Sequence, residues 1–149
     1  MLLLSMQGTL RYYDQDFDLE RDGSGAAADF ILAHAQPGDA ILFYIPGGRA
    51  SYEFFKSIRT SPGVAEPEVI YPHHRDSLDY HDFTGKPSGD FLRSAPGSYA
   101  RVWLVLMDNE TAGHPDATTL MINETLGEVF PRVEREEFPR VEVRLYSKP

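Results

Sequence analysis

Pro37-Gly38-Asp39-Ala40-Ile41-Leu42-Phe43-Tyr44-Ile45-Pro46-Gly47-Gly48-Arg49-Ala50-Ser51-Tyr52-Glu53-Phe54-Phe55 is the stretch that decides the fold. Its first three residues are a turn signal. An unbroken apolar run follows over 40–45, and Pro46-Gly47-Gly48 stops it abruptly. From Arg49 onward the spacing becomes helical. An apolar run of strand length without alternation suits a strand covered on both faces, as in the middle of a parallel sheet. Strand, glycine turn and helix make the first half of a βαβ unit. In open α/β sheets ligands gather outside the carboxyl ends of the strands. Gly47, Gly48 and Arg49 are therefore the first residues to consider for ligand binding.

Working outward, Arg101-Val102-Trp103-Leu104-Val105-Leu106-Met107 is a second run of the same kind. It reads as a parallel neighbour of the first, with Trp103 buried under a helix. Asp108 and Asn109 stand at its carboxyl end and would share an edge with the glycine turn. A shorter strand over 69–71 is closed by Pro72. The pattern predicts helices over 24–35, 50–59 and 117–130, and a short one within 88–93. Ser24 is placed as the N-cap of the first, with Ala27, Phe30, Ile31 and His34 along one face. His34 reads as a packed residue near a helix C-terminus rather than as a ligand. Tyr52, Phe55 and Ile58 are expected on the buried side of the second helix. Thr119, Ile122, Leu126, Val129 and Phe130 share a face of the long one.

The chain closes differently. Residues 133–138 are charged, Pro139-Arg140 breaks them, and Val141, Val143 and Leu145 alternate with Glu142, Arg144 and Tyr146. Period-two alternation marks strands with one wet face, here an antiparallel pair at the sheet edge. The expectation is an α/β fold: a Rossmann-like three-layer sandwich, its sheet mainly parallel with an antiparallel C-terminal edge. Residues 1–149 form a single domain, with 1–22 as an extended lead-in.

A formal charge of −9 argues against a nucleic-acid partner, since phosphate binding needs a basic face. It also argues against adhesion to an anionic membrane surface. With no cysteine, disulfides and zinc–thiolate sites are excluded. Met1-Leu2-Leu3-Leu4-Ser5-Met6 is too short to span a bilayer, and reads either as a first strand or as the trimmed end of a membrane helix.

The candidate chemistry is sparse. Pro46-Gly47-Gly48-Arg49 lacks the spacing of a dinucleotide fingerprint or a Walker loop. Its helix-start amides could hold an anion with Arg49 adding a contact, or the glycines could serve the turn alone. Residues 73–82 hold three histidines and three aspartates. His73, His74, Asp76 and His81 are weak metal candidates, because imidazole and carboxylate suit several divalent ions, but the spacing fits no recognised site and Arg75 would oppose a cation. No G-x-S-x-G elbow is present. The carboxylates of 134–137 read as a solvated edge, and the two N-x-[ST] sequons at Asn109 and Asn123 as chance matches. No cofactor and no catalytic residue is assigned.

The order of segments carries a resemblance. A helix at 26–35, Gln36-Pro37-Gly38-Asp39-Ala40-Ile41-Leu42-Phe43, the aromatic Tyr52-Glu53-Phe54-Phe55 helix, Val69-Ile70-Tyr71-Pro72, Arg101-Val102-Trp103-Leu104-Val105-Leu106 and the closing 138–146 follow one another. Together they look like the soluble C-terminal domain of bacterial multi-span membrane glycosyltransferases of the dolichyl-phosphate-mannose mannosyltransferase type. Relatives commonly open the first helix with a tryptophan–arginine pair, where this chain has Asp22-Gly23-Ser24-Gly25. The resemblance implies a non-catalytic accessory domain on the extracytoplasmic (periplasmic) face of the inner membrane. It would follow the membrane portion of the same parent protein, with 1–22 as the exit from the last span. Its partners would be that membrane portion and a saccharide or lipid-linked acceptor. The family's catalytic aspartate lies in the membrane portion, so this chain alone would not transfer sugar. The alternative is a free-standing Rossmann-like nucleotide- or phosphate-binding domain or enzyme built on Gly47, Gly48 and Arg49.

Overall fold

A computed structural model describes residues 23–45, 47–59, 63–72, 86–94, 96–108, 110–111 and 114–149. The elements run α1 (Ser24–His34), β1 (Ala40–Tyr44), α2 (Gly47–Arg59), β2 (Glu68–Tyr71), α3 (Gly89–Ser94), β3 (Arg101–Met107), β4 (Glu110–Thr111), β5 (His114–Pro115), α4 (Ala117–Val129), β6 (Arg132–Phe138) and β7 (Val141–Ser147), with a 3₁₀ turn at Pro96–Ser98. One mixed five-stranded sheet has the order β2-β1-β3-β7-β6, and β4 and β5 form a small separate pair. β1 runs parallel to both β2 and β3, whereas β7 lies antiparallel to β3 and β6 closes the edge as its hairpin partner. The fold is α/β, with parallel strands at one side and an antiparallel edge.

The unbroken apolar runs are central because both of their faces are covered. Leu42, Tyr44, Leu104 and Leu106 pack with Leu92 of α3 and Ile122 and Leu126 of α4. The alternate residues Ile41, Phe43, Trp103 and Val105 pack with Ala27 and Ile31 of α1 and Tyr52 and Phe55 of α2. β7 sits one place nearer the edge, and Val141, Val143 and Tyr146 are its buried residues. Its polar face is not simply wet: Glu142 and Arg144 are mostly covered and paired with each other, and Arg135 reaches Glu142 at 2.7 Å.

Local differences from the sequence expectation have physical causes. The cap of α1 is Gly23, in the left-handed region at φ 58°, and Ser24 is a buried residue of the first turn. A Cβ on Gly23 would lie 2.5 Å from the Pro139 carbonyl oxygen and 2.8 Å from Phe138 Cβ, so only glycine fits where α1 meets the β6–β7 turn. α2 begins at Gly47 rather than at 50, which makes the glycine pair its first turn. Ile58 is 62 % exposed, since Tyr52, Phe55 and Gly48 already cover the buried face of α2. His34 is exposed and its Nδ1 donates to the Phe30 carbonyl at 2.7 Å, closing the last turn of α1. The lead-in over 1–22 lies outside the described residues.

The first and third strands are joined through Asp39, only 3 % exposed. Its Oδ2 accepts from Trp103 Nε1 at 2.8 Å, from the Gln36 amide at 3.0 Å and from Arg101 Nη2 at 3.1 Å. Its backbone carbonyl accepts from the Glu68 amide at 2.8 Å. Arg101 also donates to the His34 carbonyl at 2.9 Å. Replacing Asp39 by alanine leaves a buried indole N–H and a mostly buried guanidinium without their acceptor. Removing one partner of such a pair costs roughly 3–5 kcal/mol, and because Arg101 keeps some solvent contact the low end applies. Urea unfolding of Asp39→Ala should show a midpoint shift of about that size with an unchanged slope. A wild-type midpoint would mean that the carboxylate carries no weight.

Candidate functional site

Because β1, β2 and β3 are parallel, Tyr44, Tyr71 and Met107 end on one edge of the sheet. The segments that follow them converge there. Gly48 lies close to this edge: a Cβ built on it would be 3.7–3.9 Å from Phe43, Val105 and Met107, ordinary packing distance of helix on sheet. Its amide is already used, donating to the Ile45 carbonyl at 3.0 Å. Gly47 faces open space. Arg49 turns across the edge and donates from Nη1 to the Pro72 carbonyl at 2.7 Å, and its Nε lies 3.9 Å from the Glu53 carboxylate. Its guanidinium thus ties the start of α2 to the end of β2.

Asp108 marks the end of β3 in a left-handed conformation, φ 46°, and faces Arg140 at φ 63° in the β6–β7 turn. Arg140 forks onto it, Nε to Oδ1 at 2.9 Å and Nη2 to Oδ2 at 2.7 Å, and the Asp108 amide donates to the Arg140 carbonyl at 3.2 Å. Both side chains are well exposed, so this bidentate pair fixes geometry more than it stabilises. Beside it opens a cleft of about 360 Å³, lined by Asp108, Arg140, Arg135, Glu137, Glu142 and the apolar Phe138 and Val141. Arg135 lies 2.6 Å from Glu137 and 2.7 Å from Glu142. The walls are therefore paired charges, rich in donors and acceptors, around a small apolar patch.

A further pair on this edge was not expected from the sequence. Tyr44 ends β1 and its hydroxyl donates to Asp116 Oδ2 at 2.9 Å; Asp116 caps α4, accepting from the Thr119 amide at 2.7 Å. Burial alone would raise the Asp116 pKa, but hydrogen bonds from the Thr119 amide, the Tyr44 hydroxyl and the Thr119 and Thr118 groups outweigh it and hold the carboxyl below its usual range. Tyr44 is pushed up, mainly by burial. The signal was present in the sequence, since an aspartate directly before Ala117-Thr118-Thr119 is a helix-start pattern. What it lacked was a reason to look for Tyr44 seventy-two positions away.

Of the sequence candidates, Gly47, Gly48, Arg49 and Asp108 come to one edge. Asn109, His73, His74, Asp76 and His81 lie outside the described residues. Among the described residues, no group of three or more histidines and carboxylates is placed to hold a metal ion. Asn123 of the second sequon lies within α4 and accepts from the Tyr146 hydroxyl at 3.0 Å. Among the described residues, no helix is long and apolar enough to cross a membrane. Comparisons with protein-family models, with curated proteins and with solved structures give no match.

The Asp116 cap makes a pH prediction. A carboxyl whose pKa is depressed on folding contributes stability that is fully present above its unfolded value and is lost as pH falls through the depressed one. Asp116→Ala should lose about 1 kcal/mol near neutrality. Asp116→Asn keeps the cap but cannot titrate, so its stability should fall less steeply than wild type in acid. Parallel acid limbs for the two proteins, measured by thermal unfolding across acidic pH, would contradict this.

Proposed function

We propose that this chain is a non-catalytic, Rossmann-like three-layer domain whose sheet edge holds a neutral or weakly charged saccharide, as an accessory domain of a membrane glycosyltransferase that uses a lipid-linked sugar donor. The observation that carries the reading is the cleft beside Asp108. Its two guanidiniums are paired with its three carboxylates, leaving a weakly negative wall with a dense set of donors and acceptors around Phe138 and Val141. Such walls suit a polyhydroxylated ligand with one apolar face better than a phosphate, which would compete with three carboxylates. The resemblance in segment order supports the glycosyltransferase setting, the extracytoplasmic location and the membrane portion of the same parent protein as partner.

The second reading, a nucleotide- or phosphate-binding domain at Gly47, Gly48 and Arg49, is favoured only by the position of the turn. The Gly48 amide and the Arg49 guanidinium are both committed to backbone carbonyls. Titration with short neutral oligosaccharides and with sugar phosphates separates the two. The expected outcome is saccharide binding that perturbs Asp108, Arg140 and Glu142, weakened about tenfold or more in Arg140→Ala, with Arg49→Ala close to wild type. No sugar transfer or hydrolysis is expected from the chain alone. Preferential binding of sugar phosphates lost in Arg49→Ala would establish the second reading. Turnover that disappears on changing His73 or Asp76 would overturn the first.

A further inference from the structure

The five-stranded sheet ends on β6, whose outer edge has no strand beside it among the described residues. Residues 132–137 are exposed, so β6 is also open on both faces. The two faces are differently engaged. Arg135, on one face, is paired to Glu137 and Glu142. Glu134 and Glu136, on the other, enter no ion pair among the described residues. Glu134 lies opposite Leu145, and Leu145 opposite Trp103; Glu136 lies opposite Val143, and Val143 opposite Val105. Opposed residues of antiparallel strands share a face, so the two carboxylates border an apolar strip. Between that strip and Phe30 and His34 of α1 runs a groove of about 270 Å³. Two cations line it and both are committed, Arg135 to Glu137 and Glu142 and Arg101 to buried Asp39. The groove is apolar at its floor and negative at its outer rim.

We propose that the β6 edge and this groove bind an extended, basic segment of a partner polypeptide. The segment adds a strand to β6, and lysine or arginine at alternate positions meets Glu134 and Glu136, the longer stems lying over the rim toward Leu145. Main-chain pairing supplies affinity in this mode of recognition, and alternate side chains supply specificity. Charged edges ordinarily prevent strand addition, but this one discriminates by sign. A second copy of the chain is the wrong occupant. Symmetric pairing of β6 with itself needs a two-fold axis normal to the sheet, and same-face pairing then centres it on a residue. Centred on Glu134, Arg135 or Glu136, it sets a like charge against itself, and centred on Val133 it brings Arg132 to Glu134 but overlaps only residues 132–134 of β6. On that face a basic strand meets two carboxylates and one cation, Arg132 at the start of β6, and the net charge of −9 draws it in.

The test uses a short peptide of alternating lysine and threonine, its glutamate–threonine counterpart, and a lysine–threonine peptide N-methylated on alternate amides, titrated at low salt with amide shifts as the readout. The lysine–threonine peptide should bind saturably, with shifts centred on β6. Glu134→Lys and Glu136→Lys, both on exposed positions, should fold normally by circular dichroism and bind about tenfold more weakly each. The N-methylated peptide should lose most of the affinity. No binding, or equal binding of the glutamate peptide, overturns the proposal. So does equal binding of the N-methylated peptide, which would leave charge attraction without strand addition. Self-association of the free chain through the same β6 amides would give the edge to a second copy and overturn it too.

Discussion

One buried carboxylate oxygen receives three donors from different parts of the chain, and the arrangement of the sheet depends on it. Asp39 lies directly before β1, Trp103 and Arg101 lie on β3, and Gln36 belongs to the turn leaving α1. Its backbone carbonyl holds the first residue of β2. Two parallel strands far apart in sequence have no hairpin to set their register. Here a side chain does it, at the amino ends of the two strands. A wrong register would strand the aspartate, the indole N–H and the guanidinium together in the core. Hydrophobic burial would tolerate such a slip far better than these groups do.

The same device leaves the opposite end of the sheet free for other uses. At the carboxyl edge the polar groups are held by contacts between loops rather than within the core: Arg49 on Pro72, Arg140 on Asp108, Tyr44 on Asp116. Each joins two segments that follow different strands. They shape the edge without closing it, which is how an open α/β sheet keeps a binding surface on a rigid base. The β6–β7 hairpin contributes to both ends. Its turn completes the cleft beside Asp108, and its outer strand forms one wall of the groove beside α1.

Much of this was legible because burial leaves a pattern. The runs over 40–45 and 101–107 announced central strands, and the alternation of Val141, Val143 and Leu145 announced a half-covered one. Trp103 was placed under a helix from its surroundings alone, and Phe30 of α1 does pack edge-on against it at 6.1 Å. What the sequence did not disclose were pairings between distant polar residues. Nothing about Asp39 distinguishes a turn aspartate from a buried acceptor until Trp103 is brought beside it. Ser24 read as the cap and Gly23 drew no notice, because the backbone that excludes a side chain there comes from Phe138 and Pro139. Arg49 looked available for a ligand, and its partner at Pro72 is fixed only by the parallel pairing of β1 and β2. Ile58 fits the helical stripe, but Gly48, Tyr52 and Phe55 already cover the buried face of α2 and leave it exposed.

The contact of Gly23 with the hairpin turn also sets where forces enter the molecule. Gly23 is fixed against Phe138 and Pro139 at one end of the hairpin, while the Lys148 amide donates to the Ala100 carbonyl at the other. A seven-residue strand separates the two points by roughly 20 Å. Tension applied between residue 23 and the last residue therefore runs along β7, parallel to its ladder with β3. That geometry loads many backbone hydrogen bonds at once in shear instead of opening them one at a time. Under such a load the β3–β7 ladder is the element that resists.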